Sequence, residues 1–514
     1  MKKIIRFSLI LLIYLSFTII VKAENTIIIN LDKLEINNTQ KIKEYHSYND
    51  FINDYKTNKL PNVYLTNFLF DGVSIVKDYD LDDFIKNNSN DIEIKELKVK
   101  VININDIGNY ELKGNYNGMI GVNTNNKKGE INIILNNVNI DSDTKKAPAL
   151  YVYNKDKNYS NCKVTIKTIK GTNNILVGGR LKKVSLIPIE ELDKYEEYYS
   201  KKRLTNYKQY SNYYGVYTKK EINNLLFASV EADKEGLKDG DPYYFYKASG
   251  VISSDIDISF KGEGYLKVES KNNEGIESKG NLSFDGGTGD YEIISFEDTL
   301  NTTTVDGNND LIIDVNSLVA RINKEANGGD AIDSNGKLII NGGNVYAFAH
   351  PTSNDTGLDS VMGIYLNNGT VIATGNKEDK IIDESKQNYL YVTLNDEIEE
   401  DTLIVIKDEN DKVLMAYKTD RSFKNLLYTS PNLNYKAYKL YVGGDIIGKE
   451  TNGLYDEIED YKGGTLIYSS DNNDHPINDN TDSMILIYIG VLVIVLLGFI
   501  ISSYRKAKKE EDDK

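Results

Sequence analysis

Two sets of side chains in this sequence have types and spacings that could carry chemistry. The first is acidic. Glu277, Asp298, Asp330, Asp333 and Asp359, with Glu297, Asp306 and Asp310 nearby, are spread through a segment rich in Asn and Gly. Hard cations such as calcium take six to eight oxygen ligands, mostly carboxylate and carbonyl, so acids brought into register by successive turns of chain would suit a calcium site. Asp and Asn also occupy such turns simply because they bond their own backbone. The second set is aromatic. The pairs Tyr198-Tyr199, Tyr213-Tyr214 and Tyr243-Tyr244 offer flat apolar faces of the kind that pack against sugar rings, and in a chain without tryptophan tyrosine must fill that role. The same tyrosines could instead pack an insertion onto the body.

Other chemistries find little footing. Three histidines, His46, His350 and His475, are scattered, and the single cysteine, Cys162, excludes an internal disulfide and any zinc site built on two thiolates. Cys162 alternates with polar neighbours on the apolar side of a strand pattern, which makes it a core thiol. With 61 Lys and Arg against 77 Asp and Glu, the net charge of −16 argues against phosphate-backbone recognition. A lyase would need an Arg or Lys base, and Arg321 is the only arginine in the repeat core from Gly250 to Gly375. The residues favour binding over catalysis.

The elements that must hold these side chains are strands. From about residue 99 to 375 short apolar alternations are broken by Asn, Asp and Gly. The segment EGIESKGNLSFDGG from Glu274 aligns without a gap to DAIDSNGKLIINGG from Asp330 and TGLDSVMGIYLNNG from Thr356, at offsets of 56 and 26 residues. Units this small cannot bury an apolar face alone and must stack. Ile276, Leu282 and Phe284, with Ile332, Leu338 and Ile340 and with Leu358, Ile364 and Leu366, would then point inward, and the glycine pairs at 286–287 and 342–343 would turn the chain between layers. The expected fold is all-β: a parallel β-helix over 99–375, with a β-sandwich as the competing architecture. A tyrosine-rich insertion interrupts it at about 181–246, and a C-terminal β-hairpin domain follows over 376–470, for example Asp401 to Ile406 against Lys412 to Tyr417. Residues 24–98 mix helix and strand signals.

Both ends carry targeting patterns. Residues 1–23 read as a secretory signal peptide, with Lys2, Lys3 and Arg6 before an apolar run. Residues 471–483 form an acidic linker, 484–503 read as a transmembrane helix, and the basic tail 504–514 would be cytoplasmic. The expected localisation is therefore the cell membrane, single-pass, with the large N-terminal body extracellular.

Several stretches together resemble the bacterial cell-surface carbohydrate-binding domain-containing family: GNYELKGNYNGMIGV from Gly108, EINIILNNVNI from Glu130, CKVTIKTIKGTNNIL from Cys162, the three repeats, LNNGTVIATG from Leu366 and LLYTSPNLNYKAYKLYVGG from Leu426. They cover about 300 residues in family order. The resemblance implies a right-handed parallel β-helix of pectate-lyase-like shape, a Gram-positive surface setting, and binding of pectic or cellulosic polysaccharide along a flank with calcium held by acidic turns. It departs from the family in its turns, where Glu274-Gly275-Ile276, Asp330-Ala331-Ile332 and Thr356-Gly357-Leu358 replace a repeated Asp-Asp-Gly-Ile. A polysaccharide lyase and a protein-binding adhesin remain the alternatives.

Overall fold

The computed structural model describes most of residues 26–66, 100–179, 250–433 and 438–470, together with the short strands Ile92–Ile94, Ser185–Pro188, Val216–Thr218 and Leu225–Ala228. The signal segment 1–23, the remainder of the insertion, and everything from 471 onward, including the apolar run 484–503, lie outside the described residues. Among the described residues no helix is long and apolar enough to cross a membrane, so the transmembrane helix expected in the architecture finds no counterpart among them.

Every principal element is a strand, and two sheets carry the first compact unit, residues up to 398 together with 421–433. In the main sheet Gly108–Tyr116, Lys128–Asp141, Asn161–Thr168, Ile258–Gly262, Leu282–Phe284, Leu311–Ile322, Leu338–Phe348 and Ile364–Leu366 pair in parallel, each with the next. A second parallel series runs through Asn173–Gly178, Tyr265–Ser270, Asp290–Ser295 and Thr370–Gly375. Three long strands, Lys128–Asp141, Leu311–Ile322 and Leu338–Phe348, belong to both series.

This strand order corrects the expected right-handed parallel β-helix: the main sheet closes on itself as a barrel. The physical reason lies in the glycines. The repeat pattern predicts a turn at Gly342-Gly343, but the strand Leu338–Phe348 runs straight through them, with Gly343 at φ 93° and a register shift against Leu311–Ile322. That is bulge behaviour, which bends a strand without ending its ladder, and it joins two series that turns would have kept apart.

The second sheet has ten short strands, in the order Leu358–Ser360, Ile332–Ser334, Leu300–Thr302, Ile276–Ser278, Ile252–Ser254, Leu150–Tyr153, Met119–Asn123, Val101–Ile104, Val63–Thr66 and Lys43–Glu44. Its pairs are parallel except Val63–Thr66 with Val101–Ile104. Ile276, Leu300, Ile332 and Leu358 form one in-register column, each no more than 2 % exposed. Full burial of one such side chain contributes about 1.5–3 kcal/mol, and the column extends this through a continuous core. Phe260 stacks on Phe284 at 4.8 Å, and Tyr291 meets Phe284 edge-on at 4.8 Å. Cys162 is buried, as its alternation predicts, and burial pushes its thiol up to about 11.

Strands at the limits of this unit are covered. Ile27–Asn30 adds to Gly108–Tyr116, while Phe423–Thr429 pairs antiparallel with both Thr370–Gly375 and Tyr389–Ile398. Just before it the buried Arg421 donates to the carbonyls of Ile322, Phe348 and Ala349 at 2.8, 3.2 and 2.9 Å. The second unit, residues 399–420 and from 434 onward, is a six-stranded sheet in which Leu403–Lys407 and Val413–Lys418 form a hairpin.

Candidate functional site: an acidic edge on the ten-stranded sheet

Five strands of the ten-stranded sheet, Ile252–Ser254, Ile276–Ser278, Leu300–Thr302, Ile332–Ser334 and Leu358–Ser360, have three residues each, so their first and third side chains go inward and the middle one goes to the other face. The middle positions of five successive strands are Ser253, Glu277, Asn301, Asp333 and Asp359, paired in register. Two residues before the inward Leu300 and Ile332 stand Asp298 and Asp330, with Thr356 at the same place before Leu358. Two neighbouring acidic columns therefore run along one edge.

Backbone donors hold the carboxylates. The N–H of Asp330 donates to Asp298 Oδ1 at 2.9 Å, the N–H of Thr356 donates to Asp330 Oδ1 at 2.6 Å, and Asn301 Nδ2 donates to Asp298 Oδ2 at 2.8 Å. Asp379 joins from the chain beyond Gly375, accepting the Ser360 N–H at 2.6 Å. Lys377 counters the row at its end, 3.8 Å from Asp359.

The crowding shows in the proton affinities. Burial first, and then the charges of Asp333 and Glu274, hold Asp298 well above the usual carboxylate range. Burial and the Asp298 charge push Asp330 up to about 8, and burial with Asp359 and Asp330 does the same to Asp333. Asp379 is raised to about 6, mainly by burial. Glu277, only 2 % exposed, accepts a hydrogen bond from Ser253 Oγ at 3.3 Å.

The amide oxygen Oδ1 of Asn301 is buried between Glu277 and Asp333 in the row and has no hydrogen-bond donor. An acceptor left without a donor inside low-dielectric surroundings costs about 1–3 kcal/mol, and a hard cation is one group that would satisfy it. The donor set, carboxylates and amide oxygen, matches calcium chemistry. Among the described residues no three Asp, Glu, His or Cys side chains are grouped to hold a metal ion. A cation at this edge would thus draw on carboxylates of adjacent strands together with the Asn301 amide and main-chain carbonyls.

Of the sequence-predicted residues, the structure brings Glu277, Asp298, Asp330, Asp333 and Asp359 to one edge. Asp310 is elsewhere, its carboxylate accepting the Lys337 N–H at 2.9 Å as a turn residue does. Asp306 and the tyrosines Tyr198, Tyr199, Tyr213, Tyr214, Tyr243 and Tyr244 lie outside the described residues. Arg321 is on the main sheet, between Ile294 and Phe348 in register, with its guanidinium 5.2 Å from the Phe348 ring. Sequence reasoning missed Asn301 and Asp379. Asn301 sits in a strand whose sequence departs from the repeat, although its place midway between two repeats was a usable signal. Asp379 follows the last repeat, and no pattern pointed to it.

Comparison with known proteins adds to this geometry. The sequence profile described as "Carbohydrate-binding domain-containing protein" matches residues 98–204 and 217–424, more than half of the chain. A solved structure described as the polysaccharide lyase-like protein from C. thermocellum, in a gadolinium derivative, aligns at 20 % identity over 55 % of this chain and 83 % of that one, with a TM-score of 0.32. A comparison with curated proteins gives no match.

Proposed function

The chain belongs to the carbohydrate-binding domain-containing protein family, and from that premise we propose that it is an exported, membrane-anchored protein that holds pectic or cellulosic polysaccharide on an outer sheet face, with calcium at the acidic edge. The family match carries the polysaccharide. Supporting calcium is the buried, donor-free Asn301 Oδ1 set in a row of carboxylates whose mutual repulsion a divalent ion would relieve. In this reading the insertion tyrosines, Tyr198 and Tyr199 foremost, supply aromatic faces for sugar rings. The apolar run within 484–503 fixes the chain in the cell membrane, with the body outside.

Binding is preferred to lyase chemistry because Arg321, the sole arginine of the repeat core, stacks on Phe348 in the main sheet, whereas the acids are on the ten-stranded sheet. Incubation of the purified chain with pectic and cellulosic polymers, with calcium and with chelator, tests the proposal. Retention without growth of unsaturated-uronate absorbance is expected. Loss of all retention would remove the reading, and an absorbance rise abolished by Arg321→Ala would replace it with a lyase.

A further inference from the structure

Two oppositely charged side chains lie buried together on the ten-stranded sheet, one step past the acidic row. Asp255 and Lys279 follow Ser254 and Ser278, which pair in register on neighbouring parallel strands. The two side chains therefore leave successive layers at the same level. Lys279 Nζ is 3.6 Å from Asp255 Oδ1, and the side chains are only 9 % and 2 % exposed. Burial takes both charges out of water, a cost that an ion pair recovers only in excellent geometry with its remaining lone pairs satisfied. That condition is not met. Asp255 Oδ1 is buried and accepts no hydrogen bond, with the ammonium standing just beyond reach of one.

The other carboxyl oxygen is held firmly. The Tyr151 hydroxyl donates to Asp255 Oδ2 at 2.8 Å, and the Asn154 N–H donates to it at 3.2 Å. Both donors come from the preceding layer, where Leu150–Tyr153 pairs with Ile252–Ser254 and the Asp255 N–H donates to the Val152 carbonyl at 2.9 Å. Two fixed donors on one oxygen are what an oxyanion hole offers the tetrahedral intermediate of an acyl transfer. Lysine amines are competent nucleophiles for such chemistry. Here the amine, the carboxyl carbon and the oxyanion donors meet in a dry place, and holding reactants in this way removes a large part of the entropic barrier to joining them.

We propose that Lys279 and Asp255 join in an intramolecular isopeptide bond, a covalent tie between two successive strand layers. A proton passes from Lys279 Nζ to Asp255 Oδ1, and the freed amine attacks Cγ while negative charge gathers on Oδ2 between Tyr151 and Asn154. Nζ then gives a second proton to Oδ1, the Cγ–Oδ1 bond breaks, and one water leaves. The ammonium and the carboxylate supply every atom, so the step needs no co-reactant. With Cys162 as its single cysteine the chain has no internal disulfide, and this amide ties its layers instead. The bond is independent of any polysaccharide or cation.

Tryptic digestion of the denatured full chain, followed by mass spectrometry, tests the proposal. The peptides bearing Asp255 and Lys279 are expected as one branched species, lighter than their sum by one water, about 18 Da, and uncleaved after Lys279. Cleavage after Lys279, with both peptides at their separate masses, would overturn the bond. Lys279→Arg keeps the charge and should release the two peptides. A joined species persisting in that variant would contradict the assignment to Lys279. Tyr151→Phe removes one oxyanion donor and should slow closure about a hundredfold or more, so that open chain is found in freshly purified protein. A fully closed Tyr151→Phe chain would overturn the part given to Tyr151. The wild-type digest decides the bond whether or not either variant folds.

Discussion

The main-chain N–H of Asp330 donates to the Asp298 carboxylate at 2.9 Å, and the Asp330 carboxylate in turn accepts the N–H of Thr356 at 2.6 Å. Asp298 and Asp330 thus each tie their own strand layer to the following one while standing close to one another. The same arrangement that stitches the ten-stranded sheet also concentrates negative charge in a partly dry place.

That concentration sets a pH dependence. Asp330 and Asp333 have an ordinary value of 3.8 when the chain is unfolded and about 8 when folded. Groups with raised folded values contribute stability that is complete below the unfolded value and is lost as pH rises through the folded one. In chelator, the thermal midpoint should therefore fall between about pH 4 and pH 8. A midpoint that rises steadily over this range would show that the edge carries no such strain.

Asp333→Asn removes one repelling charge without changing size. In chelator at pH 8 the variant should be more stable than the wild type, by about 1 kcal/mol or more, since every tenfold change in proton affinity on folding is worth about 1.4 kcal/mol. Any stabilisation that calcium gives the wild type should shrink in the variant. Calorimetry with and without calcium reads both effects.

Arg421 is 2 % exposed and serves three carbonyls at once. Arg421→Ala leaves buried acceptors without donors and should cost about 3 kcal/mol or more. Arg421→Lys should recover only part of this, because an ammonium lacks the planar fork. Urea unfolding curves compare the three proteins.

Phe284→Ala opens a cavity beside Phe260 and Tyr291, each 4.8 Å away, and should lower stability by about 3–5 kcal/mol. The loss should be visible in the same urea curves.

Cys162 is buried, and its thiol is raised to about 11 by that burial. In the folded protein at pH 8 it should resist iodoacetamide for hours and react within minutes once denaturant is added. Mass spectrometry of the alkylated chain follows both.

Much of the local structure was legible because the core pattern is local. Alternation placed Ile276, Leu282, Phe284, Ile332, Leu338 and Leu358 inside, and all are buried. The repeat also placed Ile332 beside Leu358, which pair directly. It did not show that Leu300 stands between Ile276 and Ile332, because that strand keeps the inward Leu and Thr while its turns diverge. The closed sheet was not legible either. Whether Gly342-Gly343 turns the chain or bulges it depends on the partner strand, and one segment's residues do not state their partner. The acidic edge was half legible: Glu277, Asp333 and Asp359 share a repeat position, while Asn301 and Asp379 reach the edge through pairing and a returning loop.

The most direct test of the account is retention of polysaccharide by the purified full chain across a panel of neutral and acidic plant-type polymers, run once with calcium and once with chelator. The account predicts specific retention, strengthened by calcium. A chain that holds none of these polymers in either condition would contradict it.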